Sequence, residues 1–479
     1  MDINNKKVIT RFAPSPTGFM HIGGIRTALY AYLFAKKNVG TFILRIEDTD
    51  KVREVDGSIE HIIESLKWLG IDWDEGPDIG GPNAPYKQSE RLESYNKYAK
   101  ILIEKGFAYA DPYTEEEVEA FRNKAIAEKR AFLYRDHRPE NPPAWDGTMP
   151  LRFKITDVKS YEWEDLARGK LSAGPEALDD FILIKSDGYP TYNLAHIIDD
   201  LEMGVTHVMR GDEFISSTPK FLALYEALGI EAPKMVTLPP IMGPDGKKKL
   251  GKRDGAKDVL EYKAEGYLPE AMLNFLAFIG WNPGTETEVF TKDELIKSFD
   301  IKGIHISGGK FNEEKLDWIN KEHIKKLSQD ELEKNIFAWL PQELKINKII
   351  PIIAERISKF SDIKGMVDSS ELDFFYKQPE YQREKLIFKN SPSDNIKNNL
   401  VEVFSILENT AESDFTKENI KNILMQIADK KDSRGEVLHP VRFALSGLDK
   451  SPDPFILIEI LGKNESLKRI DKAISELSK

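Results

Sequence analysis

The stretch that most constrains the fold is residues 11–24, which read Arg-Phe-Ala-Pro-Ser-Pro-Thr-Gly-Phe-Met-His-Ile-Gly-Gly. One apolar run precedes it at residues 8–10, and another follows at residues 41–46. Between the runs, four apolar residues recur at helical spacing: Ile22, Ile25, Leu29 and Leu33. This order predicts a strand, a loop, a helix and a second strand, which is the opening of a parallel α/β sheet.

The predicted loop has the chemistry of a phosphate site. His21 falls where the helix should begin, and Gly23 and Gly24 follow it. The start of a helix presents unbonded N–H donors and the positive end of the helix dipole, and glycines let a ligand approach the backbone closely. An ordinary strand-to-helix turn with a surface histidine would fit the same residues. The dinucleotide fingerprint is excluded, because no Gly-x-Gly-x-x-Gly follows the first strand.

A longer motif surrounds this histidine. Residues 14–18 read Pro-Ser-Pro-Thr-Gly, and residues 21–23 read His-Ile-Gly. Together they resemble the first signature of class I aminoacyl-tRNA synthetases, in the form found in the glutamyl group. Gly24, which stands where other groups have a second histidine, fits the glutamyl group as well.

A lysine-rich loop at residues 243–255 carries the second motif. Residues 249–253 read Lys-Leu-Gly-Lys-Arg, which resembles the other class I signature, Lys-Met-Ser-Lys-Ser, in its glutamyl form. Gly251 replaces the usual serine and removes one hydroxyl, so we expect a more flexible loop that keeps Lys249 and Lys252. Alone, a lysine run is more often a solvated charged turn; the first motif gives this one its weight.

Composition sets broad limits on function. The chain has 479 residues, a formal net charge of −12 and no cysteine, so it contains neither disulfides nor thiol chemistry. It has no apolar span of membrane length and no leader-like start, from which we predict a cytoplasmic protein without membrane contact. The negative charge does not favour nucleic-acid binding in general, but a local basic patch is sufficient for it.

The resemblance implies an α/β fold: a class I Rossmann-type parallel-sheet catalytic domain split by an insertion, followed by an all-α anticodon-binding region. The predicted bounds are 1–110 for the first catalytic half, 111–187 for an insertion that binds the tRNA acceptor end, 188–255 for the second catalytic half with the lysine loop, 256–325 for a helical stem-contact region and 326–479 for the all-helical anticodon-binding region. We expect no structural zinc in the insertion, because zinc sites of the family are built mainly on cysteines and His137 alone cannot hold the ion.

Local signals place several further elements. Asp187-Gly188 predicts a hairpin turn, and Pro269 predicts the start of an apolar helix. Ser89 is expected to cap a helix that runs to about Gly106. Residues 349–360 and 416–428 show apolar residues three and four apart, as the anticodon-binding region requires.

The implied reaction activates L-glutamate with ATP and transfers the glutamyl group to the 3′ end of the tRNA for glutamate. The first step builds negative charge on phosphoryl oxygens and so needs positioning and cationic stabilisation. By resemblance, His21, Lys249 and Lys252 are the catalytic residues. The expected ATP contacts are His21, Gly23, Glu213, Lys249 and Lys252. Mg²⁺ should arrive with ATP, held by phosphates and water, and we assign no protein ligand to it.

Glutamate offers two carboxylates and an ammonium group, which guanidinium and carboxylate side chains recognise respectively. The resemblance assigns six residues to the glutamate pocket: Arg11, Ala13, Ser15, Glu47, Tyr192 and Arg210. Arg210 is the candidate for the side-chain carboxylate and Glu47 for the ammonium group. His196 stands where some relatives carry a pocket asparagine. Glu47 could also be a solvated member of an acidic cluster, and Tyr192 could be core packing.

Several alternatives stay open at this stage. A glutaminyl enzyme typically has Pro-Glu-Pro-Asn in its first signature and a β-barrel anticodon region, and a shortened paralogue lacks the anticodon region altogether. A non-catalytic tRNA-binding relative or another nucleotidyltransferase would share part of the pattern. The enzyme could charge the tRNA for glutamine as well, and Arg356 is a candidate reader of the anticodon. We expect a monomer, as is usual in the family.

Overall fold

The computed structural model describes residues 7–251 and 257–479. The chain divides into two compact units, residues 1–320 and 321–479. Lys252, one of the predicted catalytic lysines, lies outside the described residues. No helix among those described is long and apolar enough to cross a membrane.

The first unit alternates helices and strands. Its helices are α1 (Ile22–Lys37), α2 (Ser58–Trp68), α3 (Leu92–Glu104), α4 (Glu115–Ala127), α5 (Tyr192–Glu202), α6 (Thr218–Leu228), α7 (Val259–Ala264), α8 (Pro269–Phe278), α9 (Lys292–Ser298) and α10 (Glu313–Ile324), the last of which runs four residues past the boundary. Its strands are β1 (Ile9–Phe12), β2 (Thr41–Leu44), β3 (Ala108–Ala110), β4 (Leu151–Phe153), β5 (Tyr161–Asp165), β6 (Gly169–Ala173), β7 (Phe181–Ile184), β8 (His207–Gly211), β9 (Lys234–Leu238), β10 (Ile241–Met242) and β11 (Gly309–Lys310).

Parallel strand pairs form the framework of the site. β1 pairs with β2 in parallel, and β8 pairs with β9 in parallel. The backbone N–H of Thr206 donates to the carbonyl of Ile9 at 2.9 Å, which joins the entrance of β8 to β1. The carboxyl ends of these strands therefore lie together, where open α/β sheets bind ligands. This confirms the predicted α/β class.

The first strand, loop and helix form as the periodicity predicts. Ile25, Leu29 and Leu33 are fully buried along one face of α1, because apolar residues three and four apart share a helix face. His21 caps the helix: its Nδ1 accepts the N–H of Gly23 at 3.0 Å. The helix thus begins at the histidine, and its first turn faces the strand ends.

Antiparallel strands interrupt the parallel ones. β4 pairs with β3 on one side and β7 on the other, and β5 forms a hairpin with β6. The turn predicted at Asp187-Gly188 is present, closed by the N–H of Lys185 donating to the carbonyl of Tyr189 at 2.9 Å. Gly188 has φ +82°, a conformation that glycine adopts without strain.

The prediction that Ser89 caps a helix is wrong. Ser89 lies in a short 3₁₀ turn, and α3 begins only at Leu92, after Arg91. The Asp48 carboxylate accepts both the Ser89 N–H, at 2.9 Å, and its hydroxyl, at 2.5 Å. The serine side chain is therefore engaged by a residue 41 positions earlier, which no local pattern reveals.

The second unit is helical, and the structure shows no strand in its described residues, 321–479. It contains α11 (Gln329–Trp339), α12 (Ile350–Arg356), α13 (Asp362–Asp368), α14 (Ser393–Asn409), α15 (Lys417–Ala428), α16 (Gly435–Ser446) and α17 (Pro454–Leu477). Arg469 is buried on α17 and donates to the carbonyls of Phe374 and Leu445, each at 2.6 Å. One guanidinium thus joins three segments of this unit.

Candidate active site

A cavity of about 230 Å³ lies between the start of α1 and the carboxyl ends of β8 and β9. His21 and Gly23 line it from α1, Glu213 from the turn after β8, and Lys249 from the lysine loop. Four of the five predicted ATP contacts therefore share one cavity, although more than two hundred residues separate the first from the last.

The geometry of His21 suits donation to an anion. Because Nδ1 accepts the Gly23 N–H, a neutral imidazole ring carries its proton on Nε2. Gly24 packs closely against Met20: a Cβ there would lie 2.5 Å from the Met20 sulfur, so that side chain would have to move. The histidine is thus oriented by its own helix, and the glycine after it keeps the turn closely packed.

Lys249 and Glu213 form an ion pair in this cavity, with 3.0 Å between Nζ and Oε2. Both side chains are more than half exposed, so the pair contributes little to stability. Burial opposes the charged form of Glu213, but its backbone hydrogen bond and Lys249 outweigh burial and lower the pKa of the carboxyl. The N–H of Leu250 donates to the carbonyl of Ile241 at 2.8 Å and anchors the lysine at the base of its loop.

Arg26 also lines the cavity and was not predicted. It is buried on α1 and donates to the carbonyls of Pro239 and Ile279, at 2.9 Å to the latter. Burial lowers the pKa of Arg26, against the attraction of nearby acidic groups that include Glu213. The available signal was an arginine on the apolar face of a predicted helix.

A second, buried site begins where the first ends, because Arg210 immediately precedes the cavity-lining Gly211. Arg11 lies near the carboxyl end of β1, and Glu47 follows β2. Both side chains are buried here with Arg210. Burial raises the pKa of the Tyr192 hydroxyl, which also interacts electrostatically with all three. Four of the six predicted glutamate contacts are therefore neighbours.

Arg210 is held by aromatic rings rather than by acids. Its guanidinium lies 4.8 Å from the ring centre of Phe221 and 5.5 Å from that of Phe214. Its Nη1 is buried without a hydrogen-bond partner, and no carboxylate among the described residues forms an ion pair with it. A buried, unpaired guanidinium is costly unless an anion completes it, which makes Arg210 the strongest single indication of a carboxylate ligand.

A buried network of opposite charges underlies this site. Arg45 is fully buried and contacts Asp199, Asp200 and Glu47. Arg11 pairs with Asp200 at 3.0 Å, and further donors hold Asp199: Gln88, Arg91 and Tyr95. The network was missed, although Arg11 and Arg45 each stand inside an otherwise apolar run, which is a readable signal.

The remaining predicted pocket residues lie around this cluster. Ala13 and the exposed Ser15 belong to the loop after β1, which the Glu47 N–H holds by donating to the carbonyl of Pro14 at 3.0 Å. His196 is buried beneath Tyr192, and their rings stack at 4.3 Å between centres. Burial and then Arg210 lower the pKa of His196 to about 3, so it packs as a neutral ring.

A third histidine links the first motif to the helix that follows the lysine loop. His61, on α2, accepts the N–H of Met20 at 3.3 Å and lies 2.8 Å from the Asp258 carboxylate. Asp258 in turn caps α7 by accepting the N–H of Leu260. The segment after the lysine loop is thereby attached next to His21.

Elsewhere, other predicted residues have ordinary partners. His137 stacks on Phe121 at 4.4 Å between ring centres. Arg356, at the end of α12, pairs with Glu371. In residues 7–251 and 257–479, the structure has no group of three or more histidine or acidic side chains that could hold a metal ion.

Two sequence families match the chain. One, described as tRNA synthetases class I (E and Q), catalytic domain, matches residues 7–318. The other, described as anticodon binding domain, matches residues 318–474. The two matches meet close to the boundary between the compact units.

Individual relatives are similar over nearly the whole chain. The glutamate–tRNA ligase of Clostridium kluyveri is 43% identical, covering 98% of both chains, and that of Clostridium acetobutylicum is 41% identical, covering 99% of both. A crystal structure of a glutamate tRNA ligase from Elizabethkingia meningosepticum in complex with its amino acid matches with a TM-score of 0.87 at 38% identity, covering 98% of this chain and 100% of that one.

Proposed function

Because the chain belongs to the glutamate–tRNA ligase family of class I tRNA synthetases, we propose that its first unit activates glutamate with ATP and transfers it to the tRNA for glutamate. The glutamate carboxylate attacks the α-phosphate of ATP, forming glutamyl-adenylate and releasing pyrophosphate. A terminal ribose hydroxyl of the tRNA then attacks the acyl carbon and releases AMP.

The unpaired guanidinium of Arg210 is the observation that carries the choice of amino acid. A carboxylate in this buried site would satisfy its free Nη1, and a planar guanidinium binds a carboxylate with two parallel hydrogen bonds. We assign Arg210 to the side-chain carboxylate of glutamate. Glu47, beside it, supplies the negative charge for the ammonium group, and Arg11, Ala13, Ser15 and Tyr192 form the rest of the pocket.

The nucleotide occupies the cavity that begins at Gly211. His21 donates to the phosphate chain from the start of α1, and Gly23 allows the nucleotide close to the backbone. Lys249 follows the β- and γ-phosphates as pyrophosphate develops, with Glu213 near the adenosine. We assign the same phosphate role to Lys252, from the motif alone. These cations act on charge that grows in the transition state.

Magnesium enters with ATP. His21 and Lys249 would hold the triphosphate to which the ion is bound, since Mg²⁺ is usually held by substrate phosphates and water rather than by an all-protein cage. Mg²⁺ supplies charge neutralisation on the phosphates when bound. No side chain is assigned as its ligand, and the insertion carries no assigned zinc.

The second unit binds the anticodon arm of the tRNA in this proposal. Arg356 stays a candidate contact, for which it would have to leave Glu371. The bounds proposed for the five functional regions are those given by the sequence: 1–110, 111–187, 188–255, 256–325 and 326–479. We propose a monomer that works in the cytoplasm.

One experiment tests the function and its tRNA range. The full-length chain is incubated with ATP, labelled glutamate and either purified tRNA for glutamate or purified tRNA for glutamine. Charging of the first tRNA alone is expected, and charging of both would identify a non-discriminating enzyme. Labelled glutamine is the matched control. Failure to charge either tRNA, together with no tRNA-dependent pyrophosphate exchange, would support a non-catalytic relative and refute the proposal.

A further inference from the structure

Arg45 occupies the centre of the buried charge network, directly behind the proposed glutamate pocket. Its side chain has no exposed surface. Nη1 lies 2.7 Å from Asp200 Oδ1, Nη2 lies 3.0 Å from Glu47 Oε1, and Nε lies 3.6 Å from Asp199 Oδ2. One planar fork therefore spans three carboxylates that come from β2's end and from α5.

The contact with Asp200 extends to Arg11. The same Asp200 oxygen, Oδ1, accepts from Arg45 Nη1 and from Arg11 Nε at 3.0 Å. A bond to Nε restricts rotation of the Arg11 guanidinium about its stem, since the fork is rigid. Because Arg45 holds Asp200 in place, Asp200 in turn determines the direction in which Arg11 points its remaining donors.

The contact with Glu47 orients that carboxylate and favours its charged form, although burial outweighs it and the pKa of Glu47 is raised. Burial raises the pKa of Glu47, while Arg45 and then Arg11 act in the opposite direction. The groups that face Glu47 are Arg45 from its own strand region, Arg11 from β1, Asp200 from α5 and Tyr192 from the start of α5. Arg45 is the cation that contacts Glu47 directly.

We propose that Arg45 is a positioning residue for amino-acid selection: it orients Arg11, through Asp200, and Glu47 so that both meet the two ends of the substrate's amino-acid group. This rests on the proposed function. If the cluster were purely structural, loss of one of its members would lower stability and weaken the binding of glutamate and ATP together. Arg45 instead joins two side chains that face the same ligand.

The substitution Arg45→Lys tests the role of the fork. A lysine keeps the charge but is a point donor that cannot bridge three carboxylates at once. We expect the KM for glutamate to rise about 10- to 100-fold, while the KM for ATP stays within about twofold. The matched control is Arg152→Lys, which breaks a largely buried pair in the insertion, where two guanidinium donors meet Oδ2 of Asp111; its KM for glutamate should not change.

A second variant, Arg45→Met, removes the charge. It allows a measurement of how the KM for glutamate depends on pH, which a merely structural role of Arg45 would not change. Glu47 then loses its direct cation, so its carboxyl takes up a proton more readily, and a neutral carboxyl cannot hold an ammonium group. The KM for glutamate should rise more steeply as pH falls than in the parent chain, with Arg45→Lys between the two. If Arg45→Met does not fold, the Arg45→Lys result decides alone.

The outcomes are distinct. A parent chain that charges no tRNA with glutamate refutes the proposed function, and the inference with it. An active parent with an unchanged KM for glutamate in Arg45→Lys refutes the inference alone. An equal rise in the KM values for glutamate and ATP, accompanied by a lower melting temperature, assigns Arg45 a general structural role and also refutes the inference.

Discussion

Replacing Arg210 by methionine separates substrate selection from stability. In the structure the guanidinium lies between Phe214, Phe221 and the sulfur of Met235, where a flexible apolar side chain fits. The substitution removes contacts with aromatic rings worth about 0.5–2 kcal/mol and leaves no carboxylate unpaired in the unliganded protein. The melting temperature should therefore fall by only a few degrees.

The effect on glutamate should be much larger. Loss of one partner of a buried, hydrogen-bonded charge pair costs about 2–5 kcal/mol. At about 1.4 kcal/mol for each factor of ten, kcat/KM for glutamate should fall about 30- to 4,000-fold. The preference for glutamate over glutamine should fall with it, because the side-chain carboxylate loses its cation. The KM for ATP should hardly change, since the proposed nucleotide contacts are made by other residues.

The assay is the initial rate of tRNA charging, with glutamate varied at saturating ATP and tRNA, and then with glutamine as competitor. Arg53→Met is the control, because Arg53 is 75% exposed and pairs with the nearby Asp50. It should behave as the parent chain does. A KM for glutamate in Arg210→Met that stays within about threefold of the parent value, at unchanged ATP binding, would refute the assignment of Arg210.

Three further predictions concern His21, Lys249 and His196. His21→Asn and His21→Ala both remove the proposed phosphate donor, so both should lower kcat on the order of 100-fold. Asparagine keeps an acceptor for the Gly23 N–H and alanine does not, so only the alanine variant should lose about 1 kcal/mol of stability. Equal kcat in His21→Asn and the parent would refute a phosphate role. Lys249→Met should lower kcat for pyrophosphate exchange about 10- to 100-fold with the KM for glutamate unchanged, and a selective rise in that KM would contradict the assignment. In the folded chain the pKa of His196 is about 3, below its ordinary value of about 6.5. As pH falls below about 6.5, the unfolded chain therefore binds a proton that the folded chain does not, and the free energy of unfolding should drop by about 2 kcal/mol at pH 5. Urea unfolding of His196→Phe at pH 7 and pH 5 should show a smaller acid loss than in the parent chain, and an equal loss would refute this account.

Sequence patterns predicted correctly those features whose interacting residues lie close together in the chain. The helix after the first motif was readable because its buried face and its capping histidine lie within one segment. Ser89 was misplaced because its partner, Asp48, is distant in sequence. The encounter of His21 with Lys249 could be expected only from the resemblance, since periodicity carries no information over such a distance.

The charge network marks the other limit of prediction. Arg45 can be recognised in the sequence as a charge inside an apolar run, but the sequence does not show that its side chain pairs with Asp200. The pairing is decided when β2 and α5 pack together, and only then does the direction of Arg11 follow. All the assigned site roles stay predictions, and Lys252 also lies outside the described residues.

The end of β8 has a consequence for how this protein could change. In the proposed function Arg210 faces glutamate and Gly211 borders ATP, so the residues assigned to the two reactants are joined by a single peptide unit, about 3.8 Å between successive Cα atoms. Covalent geometry of this kind does not drift with mutation. If the proposed function is right, the side chain at position 210 could be exchanged to admit a different amino acid while the backbone that borders the nucleotide cavity stays in place.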